Sequence, residues 1–469
     1  MSKTKTTPVS AKEKGPASKG GIFVFLLLFG VVAGLGIKGI IDLMPAVSSG
    51  DIANIVGPLV WAAMPTLITG LVIVATISIL GAFLALKVGK DHGVGIVYAG
   101  NVLLLLVGLI TVVAPFVLFR GTIPMDSIIY TALPGIVPLL ISILNFTVFR
   151  DRLKRAGKFL SLSCHSVLDE KEVALVPLLS PFLYTVALVF LGFGLADLWY
   201  VLPNILVGEE WGYVILGATI FDIFAFLYLT VLFYYMSDAI IISIVYDWYR
   251  KRDPSFKTGF RAMLNVLGAL ALYAFYSTII RLIQQALSSQ ARRGGAVSRV
   301  FYRSASEVVG TIWKYINYFT LPALVIDRKG AHHAIKRSVK LLFRYYGDVL
   351  VRESAVKYGI GILMLLFMVP YIVFGAVLGG ILFNWDLIFV ILMALAFVII
   401  GSIFAYPVFH AISLSYITIM YGFVEDLESN FQMPSRVGGE IFHELKPFVV
   451  KAYEKEKLKD PNAPPPPSF

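Results

Sequence analysis

The sequence predicts an all-α fold: a polytopic transmembrane bundle of about eight spans, ten on an alternative count, with basic amphipathic interfacial helices. Three observations predict it. The 469 residues are 58% hydrophobic and only 15% charged, with a mean hydropathy of +0.81; a water-soluble chain carries roughly a quarter charged residues. Apolar runs long enough to cross a bilayer, about 20 residues, recur along the chain. The net charge of +11 is concentrated in short loops between those runs, as topology signals and anionic-lipid contacts are. That pattern excludes nucleic acid as a partner and points instead to membrane lipids.

The spans are expected at Ile22–Met44, Pro65–Val88, Val94–Phe119, Ile128–Phe149, Val173–Leu195, Tyr213–Tyr235, Tyr358–Phe383 and Leu387–Tyr416. The polar start, with Lys3, Lys5, Lys12, Lys14 and Lys19, imitates a signal peptide. Lys38 and Asp42 follow the first run in place of a small-residue cleavage motif, so it reads as a retained helix. Lys87 and Lys90, the group Arg150 to Lys158, and Arg250 to Arg252 follow the even-numbered spans; Asp42, Asp51, Glu209, Glu210 and Asp386 fall in the opposite loops. Excess Lys and Arg marks the cytoplasmic side. Both termini are therefore expected in the cytoplasm of a multi-pass cell-membrane protein, with Lys38 and Arg120 as snorkelling exceptions near the outer interface.

Between Lys257 and Ile326 the pattern weakens. Met263–Ile280 is short and is interrupted by Arg281; Val308–Ile326 contains Lys314, Asn317 and Pro322. Two crossings would place Arg292, Arg293 and Arg299 outside, against the charge rule. Two shallow or re-entrant helices fit better, and the ten-span count is the alternative. The chain thus divides into a polar tail (1–20), a four-helix transmembrane module (21–149), a membrane domain with interfacial or re-entrant helices around 257–346 (150–425), and a tail (426–469) ending in Pro464–Pro467, where polyproline II character is expected. Cys164, the single cysteine, forms no intramolecular disulfide and reads as an inert small residue.

Ala331–Tyr346 is the clearest interfacial helix. Ala331, Ala334, Ile335, Ser338 and Leu342 recur at helical spacing, while His333, Lys336, Arg337, Lys340 and Arg344 occupy another face. With Arg152, Lys154 and Arg155 these are the candidate lipid-headgroup residues, and anionic lipids the expected partners; a protein partner or a second copy of the chain is also allowed.

The residues Tyr318, Phe319, Pro322, Asp327, Ala334, Arg337 and Ser338 form a "YF–P–acid" stretch before "A–x–x–R–S" at a helix start. This resembles the signature of an uncharacterised family of prokaryotic multi-pass membrane proteins, with Pro254-Ser255-Phe256 and Gly259 resembling its short loop into a helix. The resemblance covers roughly Arg150 to Glu425. More distantly it is similar to the membrane domain of some glycerophosphodiester phosphodiesterases. It implies architecture and no catalytic role.

Ionisable residues inside spans are functional candidates by default. Asp222 is the foremost, for an ion or proton relay, with Asn101, Asn145 or Arg281 as expected buried partners; Asp238, Arg281 and His410 complete the intramembrane set. Asp222 and Asp238 are sixteen residues apart, roughly 160° round a helix at 100° per residue, so they form no one-faced carboxylate pair. His332 and His333 lack the i, i+4 spacing of a helical metal pair. Neither metal nor cofactor is expected, and no Walker loop, Ser–His–Asp arrangement or lipase elbow is present, so the chain reads as non-enzymatic. Gly30 and Gly34, and Gly375 and Gly379, have the G-x-x-x-G spacing of close helix contacts. A membrane scaffold, assembly or lipid-interface protein is the first reading. A permease for a small solute or ion, using Asp222 and proline-broken helices, is the second.

Overall fold

The computed structural model describes residues 19–48, 51–118, 125–201, 211–293, 295–429 and 435–436, and among them the chain is helical with no strand. In chain order the helices are α1 Lys19–Ser48, α2 Asp51–Leu118, α3 Met125–Thr147, α4 Arg150–Asp169, α5 Lys171–Leu175, α6 Leu179–Ala196, α7 Trp211–Tyr249, α8 Phe256–Arg293, α9 Ala296–Ile316, α10 Thr320–Ile326, α11 Ala331–Arg344, α12 Tyr346–Val351, α13 Lys357–Leu382 and α14 Leu387–Glu428. Single π-turns occupy Asp197–Val201 and Arg352–Val356. Among the described residues seven helices are long and apolar enough to cross a membrane, or eight if the bent pair α3–α4 is one span. The multi-pass helical expectation holds. Both chain tails, with Pro464–Pro467, lie outside the described residues.

Two expectations are corrected. Pro65–Val88 and Val94–Phe119 are not separated by a loop. They belong to α2, which breaks only at His92, where φ is −123° and ψ 22°; Lys87, Lys90 and Asp91 are all helix-compatible and the chain keeps coiling through them. The stretch expected to hold two shallow helices begins instead with α8, an uninterrupted helix of 38 residues that qualifies as a span. Arg281 does not stop it, because its side chain is exposed on one face. The following α9 is strongly amphipathic and is not among the candidate spans.

The chain forms two compact units assembled from separated stretches. One comprises the described residues within 1–46, 179–243 and 257–340; the other comprises the described residues within 47–178, 244–256 and 341–469. These units cut across the sequence boundary at 149/150.

In the first unit α1 lies directly on α6. A Cβ at Gly36 would sit 2.6 Å from Phe190 Cβ, and one at Gly39 would sit 2.1 Å from the Phe193 carbonyl oxygen. Small residues permit such backbone approach where lipid offers no hydrophobic drive between helices. At Gly30 and Gly34, the expected contact pair, an added Cβ would meet nothing within 4 Å, so Gly36 and Gly39 take that role. In the second unit the expected contact at Gly375 and Gly379 is present: a Cβ on each would meet Ala394 Cα and Val390 Cα at 2.9 and 3.0 Å across the α13–α14 hairpin. That hairpin turns through Asn384 and Trp385, at φ 49° and 63°, and Asp386 caps α14 by accepting from Ile388 N–H at 2.9 Å, the usual N-cap geometry. α4 turns 93° from α3 and buries Leu153, Phe159 and Leu160 while keeping Lys154 exposed.

Candidate functional site

In the first unit, α1, α6 and α7 converge on Asp222. Its residue surface is 0% exposed, and neither carboxylate oxygen has a hydrogen-bond partner. The expected donors go elsewhere. Asn145 donates to Asn101 Oδ1 at 2.8 Å and to Ser354 Oγ at 2.9 Å, and Asn101 donates to the Ser142 carbonyl at 3.1 Å, all within the second unit. Arg281 is exposed on α8.

Gly194 of α6 and Leu35 of α1 meet beside the carboxylate. A Cβ on Gly194 would lie 3.4 Å from Asp222 Oδ2 and 3.1 Å from Leu35 Cβ. The α7 face bearing Asp222 carries Thr219 one turn before it and Phe226 one turn after, the i, i+3, i+4 spacing of a single helix face. Thr219 Oγ1 accepts from Trp199 Nε1 at 3.0 Å, and the Phe226 ring lies 5.5 Å from that of Tyr184. One turn beyond Gly194, buried Asp197 accepts from Lys38 Nζ at 2.7 Å, and the same ammonium donates to Asp42 at 2.6 Å. Sequence reasoning took Lys38 for a snorkelling interfacial lysine and missed its partner Asp197. The signal was available: each breaks an apolar helix end, and they are opposite in sign.

The other intramembrane candidates have packing surroundings. Asp238 is buried. His410 stacks on Tyr406 with ring centroids 5.5 Å apart. Among the described residues no group of three metal-ligating side chains occurs. Cys164 is buried.

Of the headgroup candidates, His333, Lys336, Lys340, Arg344 and Lys154 are exposed and Arg337 is half-buried. Arg155 is paired to Asp348, with Nε 3.1 Å from Oδ1. Arg344 lies 3.8 Å from Glu428, and Arg152 stacks 5.0 Å over Phe149. The YF–P–acid and A–x–x–R–S residues form a clasp. Phe319, Pro322, Ala334 and Ser338 are buried, Tyr318 and Phe319 meet edge to face at 4.8 Å, and the Phe319 N–H donates to Ser338 Oγ at 2.9 Å. Asp327 is 3.8 Å from Lys329. The clasp holds the start of α10 against α11.

A second charged centre, in the other unit, follows α7. Arg250 donates to Glu425 Oε2 at 2.7 Å and to Tyr246 Oη at 3.1 Å and also pairs with buried Asp426, which accepts from Tyr249 Oη at 2.6 Å. Burial opposes the Arg250 charge, but the Tyr246 and Asp426 oxygens outweigh it and raise its pKa. Arg436 accompanies them, donating to the Trp248 and Tyr249 carbonyls at 2.8 Å each.

Compared with known families, residues 135–428 match the family described as plasma-membrane choline transporter. The chain belongs to the plasma-membrane choline transporter family. The match begins inside α3 and ends with α14, nearly the stretch that carries the sequence resemblance. It supports a multi-pass membrane family; it lends nothing to the glycerophosphodiester phosphodiesterase similarity or to the prokaryotic label. No curated protein matches the chain.

Proposed function

We propose that the chain is a non-enzymatic plasma-membrane transporter of a small organic cation, choline or a related quaternary ammonium, with Asp222 as the anionic group of its binding site. The observation that carries this reading is the fully buried, unpartnered Asp222 carboxylate. An isolated buried charge is costly, and ordinary structural carboxylates acquire donors. A quaternary ammonium has no N–H to donate. It is recognised by opposite charge together with aromatic faces, and Trp199 and the Phe226–Tyr184 pair flank Asp222 along the helix. Membership in the choline transporter family favours this second reading from the sequence over the scaffold reading. The alternation of basic and acidic loops supports cytoplasmic termini.

The test is uptake of labelled choline into proteoliposomes. Wild type accumulates choline, and Asp222→Asn loses uptake by roughly tenfold or more, in keeping with the loss of a buried charge contact. Its melting temperature does not fall, since removing an unpartnered buried carboxylate removes a desolvation cost. Undiminished uptake by Asp222→Asn, or no choline uptake by wild type, would overturn the reading. A fall in melting temperature would instead assign Asp222 to structure.

A further inference from the structure

The apolar part of α8 ends at Ile280. From there Arg281, Gln284, Ser288 and Arg292 follow at steps of three and four, a single polar helix face. α9 returns alongside it and presents Ser306, Gly310 and Lys314 to that face. A groove of about 890 Å³ lies between the two helices, within one unit, lined by these residues.

Its floor is held by direct contacts. Ser288 and Ser306 hydroxyls are 2.9 Å apart, and Ser306 Oγ donates to the Gln284 carbonyl at 3.1 Å. Gly310 lets the Gln284 amide lie against the α9 backbone, since a Cβ there would be 2.3 Å from Nε2. The lining is unbalanced in charge: Arg281, Arg292 and Lys314 oppose one carboxylate, Glu307. That carboxylate is engaged on its own helix by Arg303, 3.1 Å from Nε. Neither Arg281 nor Arg292 has a carboxylate partner among the described residues.

We propose that this groove binds the phosphate headgroup of an anionic phospholipid. Guanidinium groups match the oxygens of a phosphate in number and direction, and the hydroxyls and amide supply neutral donors. The groove opens where the apolar section of α8 gives way to its polar section, the depth at which headgroups lie. The site is distinct from Asp222 and takes a ligand of opposite charge, so its fate is independent of the cation-transport reading.

Native mass spectrometry of the detergent-purified full chain tests it, with equimolar phosphatidylglycerol and phosphatidylcholine and with added inorganic phosphate. Wild type retains phosphatidylglycerol in preference by at least roughly fivefold, the gain from a single cation near an anionic surface. Arg281→Gln/Arg292→Gln/Lys314→Gln abolishes the preference, and Arg281→Lys/Arg292→Lys keeps it in part. If the triple variant is not recovered folded, Lys314→Glu alone reverses the charge and reduces the preference. An unchanged preference in the triple variant, or in Lys314→Glu where that is the one recovered, overturns the proposal. Displacement of the lipid by inorganic phosphate overturns the lipid assignment in favour of a free anion.

Discussion

Replacing Arg250 with methionine keeps most of the side-chain volume and removes its hydrogen bonds to Asp426, Glu425 and Tyr246. Asp426 is 0% exposed and keeps the Tyr249 hydroxyl at 2.6 Å, but its charge is left uncompensated. Glu425 has a side chain 25% exposed and can turn to solvent. Removing one partner of a buried ion pair costs about 3–5 kcal/mol. At about 2 °C per kcal/mol, the value for large domains, the melting temperature falls by about 6–10 °C. Differential scanning fluorimetry of the detergent-purified protein measures it. The double variant Arg250→Met/Asp426→Leu removes the stranded charge and recovers at least half of the loss, because an apolar pair of similar volume replaces a buried ion pair at little cost. A single-variant shift within about 2 °C of wild type, or a double variant as unstable as the summed singles, refutes the reasoning.

Gly39→Val drives a Cβ into the Phe193 carbonyl and separates α1 from α6, so folded yield collapses, whereas Gly30→Val has open space and expresses normally; equal yields from the two variants would show that α1 does not depend on that contact. Ser338→Ala strands the buried Phe319 N–H and costs about 1–3 kcal/mol, read as a lowered melting temperature that Ser338→Thr partly restores. Burial, reinforced by Asp169 and Glu172, raises the pKa of Glu170 above its ordinary value. The folded state therefore holds the proton more tightly, and stability is lost as pH rises from the ordinary glutamate value through the raised one. Glu170→Gln accordingly gains melting temperature at neutral pH and matches wild type at pH below the ordinary value; the same gain at both would exclude the titration.

The helical bundle was legible because span length and apolar content are local properties. Ile22–Met44 and Leu387–Tyr416 could be read from twenty consecutive residues. The continuity of α2 could not, since Lys87, Lys90 and Asp91 look like a loop yet the two lysines are good helix formers and a helix tolerates the aspartate; only the backbone at His92 decides where the break falls. Arg281 misled for a related reason. A charge at the end of an apolar run signals termination, but an exposed arginine facing a polar groove leaves the helix intact. The importance of Asp222 was visible as an ionisable residue in an apolar run. Its lack of a partner was not, because Asn101 and Asn145 turn to each other and to Ser354, a choice set by which helices pack together. Gly36 and Gly39 were overlooked for Gly30 and Gly34 because a spacing motif names a helix face without saying which face meets a neighbour.

The Lys38 pairing has a consequence for how the protein is made. Its buried partner Asp197 is 159 residues further along the chain. At about 5–20 residues per second of synthesis, α1 waits about 8–30 s before that carboxylate exists. Asp42, one turn away at 2.6 Å, is already present. The nascent helix therefore enters the bilayer with its ammonium neutralised from within, and Asp197 later joins Asp42 as a second counter-ion. Asp42→Asn should leave the finished Lys38–Asp197 pair in place while slowing or misdirecting the insertion of α1, a defect of assembly in a protein whose final fold remains sound.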